Sequence, residues 1–219
     1  MYQAIGIAKT LSIFATMCLV AFIALHHGNI SALMAGPLPV LGRAVSSSVA
    51  AGSLTLFLVG QTPIFTLICR LPLIRKIFPP IDGVWNMRLD SNWGVIQKWL
   101  GQGDGTQLHV VEGTVRIKSR FFNVGMEFES NDRYSDSKTI CVSVRPTTQA
   151  GLLELNYMFV NSTLMPVPTD SNSHNGAARV FLKEDDEHLF MEGTYFTDRN
   201  WTEGLNTAGK VTLTRALAG

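Results

Sequence analysis

The hydrophobic pattern of the chain changes once, near residue 80. Before that point apolar residues run on with little polar interruption. Residues 4–25 read AIGIAKTLSIFATMCLVAFIAL, with Lys9 as the only charge, and residues 44–69 read AVSSSVAAGSLTLFLVGQTPIFTLIC, with none. A bilayer core takes roughly 20 apolar residues as helix, so the two stretches are expected to cross a membrane. The first has almost no basic segment ahead of it and no clear small-residue cleavage site, which sets it apart from a signal peptide. The intervening HHGNISALMAGPLPVLGR is punctuated by Gly and Pro, as the turn of a helical hairpin would be.

After LPLIRKIFPP the pattern becomes one of short alternating runs separated by turn residues. Strands are expected at about 84–90, 106–118, 120–130, 138–145, 152–160, 177–184, 188–197 and 209–216, with no helical stretch of any length among them. Eight such strands indicate an antiparallel sandwich or barrel, and closure would leave no exposed sheet edge. Side chains alternate across a strand, so one charged position fixes the parity of the rest. Glu192 must face water, which turns Leu189, Met191, Gly193, Tyr195 and Thr197 inward. Glu154 does the same for Leu153, Leu155, Tyr157 and Phe159. Glu112 and Arg116 leave His109, Val111, Val115 and Ile117 inside, and Arg179 and Lys183 leave Val180 and Leu182. The interior is therefore apolar, with Tyr157, Tyr195, Thr197 and His109 as polar exceptions. An eight-stranded barrel is just wide enough to fill itself or to hold one small ligand. The expected organisation is a transmembrane hairpin with a basic linker over 1–78 and a barrel over 79–219.

Charge reinforces this division. All 17 acids fall from Asp82 onward, whereas the first 81 residues carry only Lys9, Arg43, Arg70, Arg75 and Lys76. Arg70, Arg75 and Lys76 follow the second span and only Arg43 stands in the hairpin turn, which by the positive-inside rule puts both termini and the barrel in the cytoplasm. Small residues recur four apart in each span: Ala8, Ser12, Thr16 and Ala24 in the first, Ala44, Ser48, Gly52 and Gly60 in the second. They form either a packing seam or the ordinary small-residue content of a span. At Gln61-Thr62-Pro63 the second span meets polar groups and a missing backbone donor, so a kink or an interchain polar contact is expected there. Cys18, Cys69 and Cys141 have neither disulfide nor metal-ligand spacing and read as buried thiols.

No catalytic constellation emerges: there is no Cys/His pair at nucleophile spacing, no phosphate-binding glycine loop and no metal-ligand cluster, so the chain reads as a binding protein that needs no cofactor. His109 reads as a satisfied core histidine and His174 as solvated in the loop PTDSNSHNG. The run Glu184-Asp185-Asp186-Glu187 reads as a solvated hairpin turn. Two segments combine an indole with hydroxyls, amides or a guanidinium at one barrel rim: Asp90-Ser91-Asn92-Trp93 and Thr197-Asp198-Arg199-Asn200-Trp201-Thr202. Such groups suit a nucleotide, with π-faces for bases and donors and charge for phosphate, although the indoles could equally be plugs that shield the core. The candidate ligand residues are Ser91, Asn92, Trp93, Tyr157, Tyr195, Thr197, Arg199 and Trp201.

Gly83-Val84-Trp85 opening the first strand and Arg215 closing the last resemble the Gly-x-Trp and terminal arginine of lipocalin-like up-and-down barrels, where indole and guanidinium stack to close one end. Such a cation–π contact contributes about 0.5–2 kcal/mol. The wider combination is two spans, a basic linker, Pro80-Ile81-Asp82-Gly83-Val84-Trp85 with Leu89, Ser91, Asn92 and Trp93, and Gly209-Lys210-Val211-Thr212-Leu213-Thr214-Arg215. It resembles the two-transmembrane β-barrel effectors of bacterial cyclic-oligonucleotide antiphage signalling (CBASS), along essentially the whole chain. Met87 stands where that family's first strand often has Gly. The resemblance implies a barrel that binds a cyclic dinucleotide made by a cognate nucleotidyltransferase. It further implies self-association, disruption of the inner membrane by the clustered spans and abortive infection, with no DNA or RNA partner. The other reading of the same frame is a membrane-tethered carrier or sensor of an apolar small molecule.

Overall fold

A computed structural model describes residues 1–105, 108–131, 134–147, 153–185 and 188–216. The two apolar stretches fold as α1 (Gly6–His26) and, after the short α2 (Ile30–Ala35), α3 (Leu38–Gln61). Both are long and apolar enough to cross a membrane. No residue of α1 is buried, and Ile7, Leu11, Leu19 and Val20 stand outward, a surface suited to lipid rather than water. The small residues divide by helix. Ala44, Ser48, Gly52 and Gly60 are buried along α3, and a Cβ added at Gly52 would lie 3.2 Å from the Cα of Cys18. Ala8, Ser12, Thr16 and Ala24 on α1 face outward.

The second helix starts earlier than its hydrophobicity suggested, because Leu38-Pro39 opens it directly after Pro37. At Gln61-Thr62-Pro63 the expected kink is a complete break. Thr62 turns to an extended conformation, its hydroxyl accepts from the Ile64 amide at 3.3 Å, and Pro63 starts α4 (Pro63–Ile68). The break therefore marks the end of the span. A further short helix, α5 (Pro72–Arg75), leads toward the barrel.

The second half is a closed antiparallel barrel in strand order β1 to β8: β1 (Gly83–Ser91), β2 (His109–Ser119), β3 (Val124–Ser130), β4 (Ser135–Arg145), β5 (Leu153–Thr163), β6 (Ser173–Asp185), β7 (His188–Thr197) and β8 (Ala208–Arg215). β1 pairs with both β2 and β8, which closes the cylinder. The assigned parities hold in all four strands where they were made. Several boundaries differ. Arg120–Asn123 is a turn rather than part of β3, with the Arg120 amide donating to the Asn123 carbonyl. β6 begins at Ser173, so His174 belongs to a strand. A seven-residue helix, α6 (Trp93–Trp99), follows β1 where none was expected. The expected strand starts at 106 and 152, and Asp186 and Glu187 of the acidic turn, lie outside the described residues. Cys141 is exposed on the outer face rather than buried.

The barrel is sealed at the end that meets the helices. Trp85 is fully buried, its Nε1 donates to the Ile81 carbonyl at 2.9 Å, and the Arg215 guanidinium lies over its ring at 5.0 Å. Arg215 in turn donates to the Pro80 and Asp82 carbonyls. Gly83 has φ +126°, and a Cβ there would lie 3.2 Å from the Arg215 guanidinium. Beneath this closure Phe65, Phe78 and Phe121 pack edge to face, and the Phe121 amide donates to the Gly60 carbonyl at the end of α3. Asp82 accepts from the Ser119 amide and from Arg120, which also donates to Thr66 on α4. The barrel thus sits directly on the helix ends.

Candidate ligand-binding site

Away from the helices the interior changes character within each strand. β1 turns Trp85, Met87, Leu89 and Ser91 inward in that order, and β5 turns Leu155, Tyr157, Phe159, Asn161 and Thr163. The closed end is apolar and the far end hydroxyl- and amide-lined. Between them lies a cavity of about 290 Å³, close to the lower end of the range for small-molecule sites.

Its aromatic wall includes Phe128, Tyr157, Phe159 and Tyr195, with Trp93 at the rim. The turn after β1 places Trp93. Ser91 Oγ accepts from the Trp93 amide at 3.2 Å, and the Asn92 side chain accepts from the Ala208 amide at 2.9 Å, pinning the first turn of α6 to β8. The polar wall is preorganised. Asn161 donates to Ser137 at 3.0 Å and accepts from Thr163 at 3.3 Å, while the Thr197 and Thr207 hydroxyls meet at 2.9 Å. Burial raises the Tyr195 phenol, opposed by its hydrogen bonds to Ser91 and Thr207, and burial alone raises Tyr157. Both hydroxyls stay protonated and neutral.

Arg199 is the guanidinium on this wall. It lies 4.3 Å over the Trp93 ring, its Nε meets Asp170 Oδ1 at 2.8 Å, and its Nη2 donates to the Thr169 carbonyl at 3.2 Å. His174 lines the same rim, with Nδ1 buried and without a hydrogen-bond partner. Burial lowers its pKa first, Asp170 opposes that, Arg199 adds to it and Asp198 opposes it. A histidine held below its unfolded value binds its proton more readily when unfolded, so the folded state loses stability as pH falls through about 6.5. Thermal unfolding between about pH 7.5 and 5.5 should show this acid slope, and His174→Gln should make it shallower. An unchanged slope in the variant would place the ring in solvent.

Of the residues expected to meet a ligand, Ser91, Trp93, Tyr157, Tyr195, Thr197 and Arg199 lie on the cavity wall. Asn92 does not, since its side chain serves the β8 backbone. Trp201 is turned away and 70% exposed. The two histidines differ from expectation: His109 is an exposed rim residue rather than core, and His174 is half-buried in β6 rather than solvated. Sequence reasoning missed Tyr134, Asn161, Asp170 and His174 as wall residues. Continuing the β5 parity two positions would have found Asn161. Among the described residues no three His, Cys, Asp or Glu gather as metal ligands.

A closed barrel with an internal cavity among its described residues, seated on a pair of membrane-length helices, defines a barrel protein with a cavity open at one end and two candidate transmembrane helices. No family model matches the chain. It is 30% identical over 141 residues to CD-NTase-associated protein 15 of Escherichia albertii, an alignment covering 64% of each chain. The chain is a homologue of that protein, spanning a little less than two thirds of its length, and this agrees with the resemblance drawn from its residues.

Proposed function

We propose that this chain is a CBASS antiphage effector whose barrel takes up a cyclic dinucleotide on the cytoplasmic side of the bacterial inner membrane. Binding would drive self-association of the spans and disruption of the bilayer. The observation that carries this reading is the direction of the cavity. It is sealed at the helix end by Trp85, Arg215 and the phenylalanine cluster, and its polar rim lies at the opposite end, so a water-borne ligand has access to it. The wall supplies what such a ligand needs: aromatic faces for a base, amide and hydroxyl groups for its edge, and a guanidinium stacked on an indole for a phosphodiester. The homology to a protein named for association with CD-NTases, and three basic residues after the second span, fit the same reading. The ligand must favour the assembled state through differential affinity.

The test uses the full chain in lipid nanodiscs. Calorimetry against cyclic di-AMP, cyclic di-GMP, cyclic di-UMP and a set of cyclic trinucleotides should find tight binding of at least one cyclic dinucleotide. Trp93→Ala should weaken it by about 1–3 kcal/mol if the indole stacks on a base. Silence across the whole panel would defeat the proposal. The apolar depth of the cavity favours a second reading, a carrier of an apolar small molecule, whose signature would be lipid co-purifying with a nucleotide-indifferent chain. The sealed membrane end speaks against loading from the bilayer.

A further inference from the structure

Among the described residues, the charged side chains on the cavity wall, apart from the two histidines, are Arg199 and Asp170. Among the described residues these two charges cancel, although the proposed ligand brings two phosphodiester charges. The guanidinium that should receive one of them is ion-paired with Asp170, although its buried Nε, 2.8 Å from Oδ1, makes no aligned hydrogen bond. Asp170 is only 5% exposed along its side chain and Arg199 14%, so the pair is largely out of water. The carboxylate is held from other directions as well: the Ser171 amide donates to Oδ1 at 2.8 Å and the Tyr134 hydroxyl to Oδ2 at 3.1 Å. Tyr134 also accepts from the Val167 amide at 3.2 Å, and Thr169 accepts from Arg199. These bonds tie the segment between β5 and β6 to the rim. Its other side chains are little engaged, Leu164 and Met165 being 95% and 85% exposed.

We propose that Asp170 is a built-in competitor for the ligand's phosphodiester: it occupies Arg199 and must be displaced, with the 164–172 segment, for an anionic ligand to bind. This rests on the cyclic dinucleotide reading above and adds to it a threshold. A carboxylate and a phosphodiester compete for the same guanidinium charge, and both cannot sit there without like charges meeting in a poorly solvated place. If the Asp170-engaged arrangement is favoured by about ten to one, the apparent dissociation constant is raised about tenfold over the intrinsic one. The segment that moves is bound through the groups the ligand displaces, so occupancy at the rim is converted into a local conformational change.

The experiment measures binding of the same cyclic dinucleotides to the full chain and to Asp170→Asn in nanodiscs, after recording each melting temperature. Asp170→Asn should bind about tenfold tighter, and Tyr134→Phe, which removes one donor to the carboxylate together with the acceptor of the Val167 amide, should bind tighter by a smaller factor. In the wild-type chain, amide exchange over 164–172 should speed up when ligand is added. A gain of affinity is what a merely structural aspartate would not give. Wild-type binding with Asp170→Asn equal or weaker overturns the competitor and leaves the site reading intact, since Asp170 would then position Arg199. If Asp170→Asn does not fold, Tyr134→Phe decides: tighter binding supports the competitor, and unchanged or weaker binding overturns it. Absence of binding in every chain overturns both proposals, and binding by the variants alone supports a competitor strong enough to mask the site.

Discussion

Trp85→Ala should destabilise the barrel by about 3–5 kcal/mol, the cost of removing a large aromatic from a close-packed core. The indole is fully buried in the floor of the barrel, between β2 and β8. Its removal also strands two polar groups. The Ile81 carbonyl loses the Nε1 donor at 2.9 Å, and the Arg215 guanidinium loses the ring it covers. Trp85→Phe keeps much of the volume and loses the hydrogen bond, worth about 1 kcal/mol. Arg215→Ala should act in the same direction but less, through the stacking term of about 0.5–2 kcal/mol and the freed Pro80 and Asp82 carbonyls. Urea unfolding of the full chain in detergent, followed by the strand signal in circular dichroism, should rank the variants Ala, Phe, wild type in rising midpoint. Equal midpoints would mean that Trp85 does not close the floor.

The closed end was legible in the sequence because it obeys the rule that makes sequences legible. Where one face of a strand meets a core and the other meets water, a single charge such as Glu192 or Glu154 sets the direction of every neighbour. The mouth breaks that rule. Past Phe159 the inward side chains of β5 become Asn161 and Thr163 while Val160 and Ser162 point outward, so the alternation persists in space but vanishes from the hydrophobic pattern. For this reason the hydrophobic pattern ends β5 too early, begins β6 too late and assigns His174 to a loop. The hairpin in fact continues to the pairing of Ser162 with Ser173. The polar inward positions are the site itself, so the feature that equips the cavity for a ligand also hides its edges.

The two indoles of the rim show a different limit. Trp93 and Trp201 sit in similar polar surroundings just past a strand end. Ser91 and Asn92 hold the first turn of α6 so that Trp93 lies beneath Arg199. Before Trp201, Asn200 adopts a left-handed conformation with φ 36°, which asparagine tolerates better than most residues, and the chain turns the second indole to the outside. Local composition was the same; backbone handedness separated them. Asp170 carried no signal at all, because a loop residue acquires its meaning only from the arginine that the fold brings to it across 29 positions of sequence.

Arg199→Ala should cost the proposed cyclic dinucleotide about 2–3 kcal/mol of affinity, or about 30- to 150-fold, the loss of a charge-assisted contact at a partly desolvated rim. Arg199→Lys should recover little of it, because an ammonium cannot both fork onto a phosphodiester and lie flat on Trp93. The single variant also strands the Asp170 carboxylate beneath the 164–172 segment, and breaking one side of such a pair destabilises by more than the pair itself contributes. Loss of binding in Arg199→Ala alone could therefore reflect a disturbed rim. The double variant Arg199→Ala with Asp170→Asn separates the two causes, since it removes both charges together and should restore much of the melting temperature. If binding stays lost while stability returns, Arg199 contacts the ligand. If affinity returns with stability, the guanidinium served only to hold the segment in place, and the phosphodiester is received elsewhere on the wall.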